Sequence, residues 1–176
     1  MTPTELMKHW RYRVHRVQLA HYDSARKYGK YHIRLGLPAI VLSTIVGTSI
    51  FTSLGSAADK SDHVVLTIVV GLLSVVSAAL VSLQTFLRYS DLAEKHRVAG
   101  AKFANLKHRI EMLGTMPPTT IFELNKSLLL VEDEWSKLRE DSPNIPTDIW
   151  RNIEKSLTYD DHEVRYPGFA EFLPSL

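Results

Sequence analysis

Two apolar stretches without a single acidic or basic residue, 35–58 and 64–87, stand almost back to back, and nothing else limits the fold of this chain as severely. Arg34 and Asp59 bracket the first, His63 and Arg88 the second. Each exceeds the roughly 20 apolar residues that an α-helix needs to cross the ~30 Å hydrocarbon core of a bilayer. Backbone in lipid must satisfy its own hydrogen bonds, and within one segment a helix does so. The sequence predicts an all-α integral membrane fold built on a two-helix transmembrane hairpin. Two buried helices of a soluble domain are the competing reading, but a long uncharged run is a membrane signal and here it occurs twice. The mean hydropathy of −0.07 averages these stretches with strongly charged flanks. A long charged segment precedes the first stretch, and no small-residue cleavage site marks a secretory leader.

Charge sets the expected orientation. Residues 1–34 carry eight basic side chains against Glu5 and Asp23, a net +6. The turn at 55–63 nets −1, and residues 88–110, six basic against Asp91 and Glu94, net +4. Basic flanks stay on the cytoplasmic side, which places both termini in the cytoplasm and the turn outside. The same flanks face anionic headgroups of the lipid bilayer, each contributing up to about 1 kcal/mol. Direct nucleic-acid binding is not expected, because the charge borders the spans instead of forming a separate module. The absence of cysteine excludes a disulfide framework and thiolate chemistry.

Four regions follow: a basic amphipathic helix (1–34), the hairpin (35–87), a cytoplasmic continuation of the second helix (88–114), and an acidic helical region with a tail (115–176). Thr2-Pro3-Thr4-Glu5 reads as a capping box with proline at the first helical position. Trp10, Val14, Val17, His21, Ser24, Tyr28, Tyr31 and Leu35 then recur at alternating spacings of four and three. Leu92, His96, Ala99, Phe103, Leu106, Ile110 and Leu113 do the same. Such spacing is a coiled-coil seam that needs a partner, and the nearest is the other arm of the hairpin, with His21 near Ala99 and Phe103 and Trp10 near Leu113. The seam histidines, His21 and His96, admit two readings: satisfied packing residues, or a pH-sensitive element.

Inside the spans, the second seam extrapolates through Thr85, Ser82, Ala78, Val75 and Gly71, a stripe of small residues on which membrane helices pack. The first span offers Ser43 and Gly47 for the same purpose, and further hydroxyls at Thr44, Thr48, Ser49, Thr52 and Ser53. The second adds Thr67, Ser74 and Ser77. These hydroxyls either bond the preceding helical turn and pack, or line a weakly polar pore, for which Thr44, Thr48, Ser74 and Ser77 are the candidates. One hairpin cannot enclose water, so a pore demands a homo-oligomer. Gly36 and Pro38 either are tolerated at the start of the span or form a hinge. No ionisable residue lies in either span, which argues against coupled transport and leaves a passive pore, an anchor or a scaffold.

From Gly114 the character changes. Gly114-Thr115-Met116-Pro117-Pro118 stops one helix, and Thr120-Ile121-Phe122-Glu123, a second capping box, opens another with Leu124, Leu128, Val131, Trp135 and Leu138 on one face. Pro143-Asn144-Ile145-Pro146 breaks it before a last short helix at 147–157. Residues 111–176 net −7, either a solvated surface or an acidic face that docks a basic partner or a neighbouring subunit's basic arm. No phosphate loop, H-E-x-x-H or G-x-S-x-G occurs, and the eight histidines lack ligand spacing. Neither enzymatic activity, a metal nor any other cofactor is expected.

Trp10, His21-Tyr22, Ala25-x-x-Tyr28, two spans, Phe86-x-x-Tyr89, His96, Phe103-x-x-Leu106, the run Glu140-Asp141-Ser142-Pro143-Asn144-Ile145-Pro146 and Trp150 together resemble the SMODS- and SLOG-associating two-transmembrane effector (SLATT) domain of bacterial conflict systems. The resemblance covers most of residues 6–150. It implies a membrane effector of an antiphage system that forms a pore in the bacterial inner membrane when a companion signalling or sensor protein reports infection. An anchor that recruits a soluble partner enzyme and a small constitutive channel are the alternatives.

Overall fold

The computed structural model describes residues 2–55 and 63–157; of residues 50–55, 63, 64 and 66 it describes the backbone alone. Five helices, α1 (Pro3–Gly55), α2 (His63–Leu87), α3 (Tyr89–Thr115), α4 (Ile121–Asp141) and α5 (Thr147–Ser156), take up 91% of the described residues. No strand occurs among those residues, so the chain is all-α. Two of its helical segments are long and apolar enough to cross a membrane. The expected turn between the spans, with Thr52 and Ser53 on its near side, and the aromatic tail beyond Leu157 lie outside the described side chains.

Local chemistry explains where the helices start and stop. At the N-terminus the capping box closes reciprocally: the Thr2 N–H donates to Glu5 Oε2 at 2.8 Å and the Glu5 N–H donates to Thr2 Oγ1 at 3.2 Å. Thr120, in extended conformation, accepts the Glu123 N–H at 3.3 Å and caps α4. The Pro117-Pro118 and Pro143/Pro146 segments separate α3, α4 and α5, because each proline lacks the backbone N–H of a helical turn and disfavours helix in the residue before it.

The described residues divide into two compact units. One joins the chain up to Arg26 with the chain from Leu92 onward; the other is Lys27–Asp91. In the first, Met7, Val14, Phe103, Leu106, Ile110, Leu124, Val131 and Trp135 form one core. The N-terminal part of α1 and α3 do meet along the expected seam, but α4 covers them both. The result is a helical bundle and not a two-stranded coiled coil. Leu124, Leu128, Val131 and Trp135 supply α4 with an apolar face that water would penalise, and docking it widens the buried face of α1 to Met7 and Arg11. α5 closes a smaller cluster of Ala20, Ile153 and Leu157, where the Tyr12 hydroxyl donates to the Leu157 carbonyl at 2.9 Å.

The acidic C-terminal region also finds basic partners within its own chain. Arg11 pairs with Glu111 at 2.7 Å, Arg109 with Glu134 at 2.7 Å, and Arg16 with Glu154 at 3.3 Å. Arg13 and Arg139 both stack on Trp135, at 5.0 and 5.5 Å from the ring centre.

In the second unit the helix does not run unbroken into the continuation expected from residue 88. Arg88 has φ 46°, the left-handed region that costs an L-residue about 1–2 kcal/mol, and it separates α2 from α3. Its N–H still bonds the Gln84 carbonyl at 3.2 Å, the Asp91 N–H bonds its carbonyl at 3.1 Å, and its guanidinium pairs with Asp91.

Candidate functional site: the apolar hairpin

Within the unit formed by Lys27–Asp91, α1 and α2 touch along a narrow polar line. The Ser43 and Ser77 hydroxyls lie 2.7 Å apart, and Ser77 Oγ donates to the Ala39 carbonyl at 3.4 Å. A Cβ on Gly36 would sit 3.0 Å from Gln84 Nε2, and the Gln84 amide lies 3.4 Å from His32 Nδ1. Gly36 therefore makes room for Gln84. α1 remains helical through Gly36 and Pro38, with Pro38 on its exposed side. A lone glutamine in an apolar span was the available signal for this contact, and it escaped the reading based on small residues.

Apart from hydroxyls such as Thr44, Thr48 and Ser82, the described side chains along the rest of the two apolar segments are largely apolar and uncovered. Only 11% and 6% of the two hydropathic windows are buried, whereas the core helix of a soluble domain would be mostly covered. Ile40, Leu72, Val75 and Phe86 all stand exposed.

The expected packing stripe lies elsewhere than on this contact. Gly71, Ala78 and Ser82 are exposed, and among the described residues no atom beyond the local helix backbone comes within 4 Å of a Cβ placed on Gly71 or Gly47. The positions that meet α1 are Ser77 and Gln84, one residue before Ala78 and one before Thr85. The extrapolation from the α3 seam fails because Arg88 leaves the helix, and helical phase does not carry across a residue with positive φ.

The four pore-lining candidates separate. Thr44 and Thr48 are exposed, and each donates its hydroxyl to the carbonyl four residues back, Ile40 at 2.9 Å and Thr44 at 3.0 Å. Ser74 donates likewise to Val70 at 2.9 Å and is half-buried. Ser77 is buried in the contact between the two spans. Back-bonding satisfies the donor and leaves each oxygen a lone pair to accept from water.

At the charged end of the hairpin three tyrosines cluster. Tyr89 stacks on Tyr28 with ring centres 5.9 Å apart and lies 5.4 Å from Tyr31, while the Lys27 ammonium sits 5.9 Å over Tyr31. Amphipathic rings of this kind favour the headgroup level of a bilayer.

In the other unit the seam histidines do meet. His21 Nδ1 and His96 Nδ1 are 3.0 Å apart, both rings are buried, and His21 stacks on Phe103 at 5.3 Å. Burial, together with the neighbouring His96, pushes His21 down to about 4, and burial also lowers His96. Near neutral pH both rings are uncharged, one donating its Nδ1–H and the other accepting. Among the described residues no three His, Asp or Glu side chains converge as a metal ion would require.

Compared with known protein families, curated proteins and solved structures, the chain finds no match.

Proposed function

We propose that this protein is a membrane effector of a bacterial conflict system, similar in role to the SLATT domains its layout resembles. In this reading the hairpin spans the inner membrane with both termini in the cytoplasm. Several hairpins assemble into a pore when a companion protein signals. The observation that carries the reading is the bare apolar surface of the hairpin. A surface of this extent is stable in lipid, not in water. The tyrosine cluster at one end suits a membrane–water boundary, and the basic flanks suit its cytoplasmic side. Because Ser43, Ser77 and Gln84 already join the two spans, Gly71, Ala78 and Ser82 remain free to meet a second hairpin closely. Thr44 and Thr48, exposed on the first span, then supply the wetted wall of the assembly.

The anchor reading also has one observation in its favour. α4 exposes Ile121, Phe122, Leu129 and Leu130, an apolar patch that a recruited soluble partner would cover.

Dye efflux from liposomes holding the purified protein tests the choice. A pore releases dye, and replacing Thr44 and Thr48 by valine abolishes release while insertion and oligomer size persist, since an all-apolar constriction dewets. Release that survives both substitutions removes these threonines from the wall. An assembled protein that releases nothing in the presence of its companion leaves the anchor.

A further inference from the structure

We propose that the helical unit outside the hairpin contains a binding site for a phosphate monoester carried on a small, partly apolar molecule. The site is a cavity of about 300 Å³ between α1, α3, α4, the α4–α5 link and α5, the low end of the size range of small-molecule pockets. Three arginines line it: Arg13 and Arg16 from α1 and Arg139 from α4. Among the described residues no carboxylate lines it. Three cations around one concavity repel one another, and a dianion removes that penalty while accepting paired N–H bonds from the planar forks.

The guanidinium groups are held ready. Arg13 and Arg139 stack on Trp135, and Arg16 lies 5.1 Å over Trp150 and 5.5 Å over Tyr12. Aromatic stacking orients an arginine without consuming its N–H donors, whereas an ion pair would occupy them. Glu154 takes one terminal nitrogen of Arg16 at 3.3 Å, and Arg16 Nε is buried with no hydrogen-bond partner among the described residues. A buried donor of that kind calls for an acceptor. The remaining wall combines three polar residues, His21, Ser142 and Asn144, with apolar side chains, so the group attached to the phosphate is itself partly apolar. Inorganic phosphate alone would leave that wall in contact with water.

Two sources offer this chemistry, a soluble monophosphate and the headgroup of phosphatidic acid. The test uses the full-length protein in a nonionic detergent, with tryptophan fluorescence as the readout because Trp135 and Trp150 line the cavity. Inorganic phosphate, adenosine monophosphate and ribose 5-phosphate are titrated as probes. A parallel arm compares nanodiscs of phosphatidylcholine with and without phosphatidic acid.

The expected result is saturable quenching by at least one monoester, tighter than by inorganic phosphate. Binding should weaken about ten- to a hundredfold in Arg13→Gln and in Arg139→Gln, the loss expected for a charge-assisted bond. Both residues are exposed, so the variants keep the fold, which the unchanged melting curve verifies. Lys126→Gln, on the exposed surface of α4, should bind as the parent does. Saturation in the soluble arm identifies a free metabolite, and saturation only with phosphatidic acid identifies the lipid. No saturable response to any probe at millimolar concentration, or equal affinity in the parent and both arginine variants, overturns the proposal. The measurement does not depend on conductance, so failure of the pore reading would leave it standing.

Discussion

The buried histidine pair makes stability depend on pH in a direction and size that can be worked out. His21 sits at about 4 in the folded chain because burial and the adjacent His96 disfavour its charged form; its ordinary value is 6.5. The unfolded chain therefore binds protons at a higher pH than the folded one. Stability is fully present above pH 6.5, declines as the pH falls towards 4, and levels off once the folded form also protonates. From these two values His21 alone costs the fold about 1 kcal/mol at pH 6, about 2 kcal/mol at pH 5 and about 3 kcal/mol at pH 4. His96 is lowered as well and acts in the same direction. All three tryptophans, Trp10, Trp135 and Trp150, belong to the unit that holds this pair, so intrinsic fluorescence reports its unfolding separately from the hairpin. Thermal melts in nonionic detergent between pH 7.5 and 5.0 should lower the transition of this unit by about 8–16 °C for the 2 kcal/mol attributed to His21. His21→Gln keeps an amide donor for the His96 ring but does not titrate, and it should lose that share of the pH dependence. Carboxylate effects are common to both proteins and cancel in the difference. If parent and variant lose the same number of degrees over this range, His21 is not a buried neutral group and the reasoning is wrong.

Phe103→Ala removes a ring that is 1% exposed at the centre of the bundle and should cost about 3–5 kcal/mol, read as an early tryptophan transition in the same melts. In this cysteine-free chain, S43C with S77C should form an intramolecular disulfide under mild oxidation, whereas S43C with A78C should not; efficient closure of the second pair would restore the stripe extrapolated from α3. Adding Gly36→Leu to the first pair should slow closure, because its side chain meets the Gln84 amide, while Gly71→Leu should leave the rate unchanged. A reporter after Leu176 and one inserted near Ser61 should report opposite sides of the membrane, and a shared side would end the hairpin topology.

Much of this protein is written in short-range chemistry and is legible without coordinates. The uncharged runs make two long apolar helices, since no other backbone form can bury or embed so many consecutive apolar residues. Thr2 and Thr120 start helices by accepting a backbone N–H three residues on, and the Pro117-Pro118 and Pro143/Pro146 segments end them. The seam that brings His21 to Phe103 is expected from helical periodicity with the other arm as partner, whereas its contact with His96 comes only with the structure. What periodicity could not supply was phase across Arg88. Its positive φ is accompanied by the Gln84 and Asp91 backbone bonds and the Asp91 carboxylate, and the hairpin contact falls at Ser77 and Gln84 instead of Ala78 and Thr85. The docking of α4 over the two arms was equally hidden. An apolar face announces that it will be buried, but its partner is chosen by whichever surfaces fit together once the chain is folded. The ring of Arg13, Arg16 and Arg139 comes from that docking, assembled from residues more than a hundred positions apart that only the tertiary structure brings around one cavity.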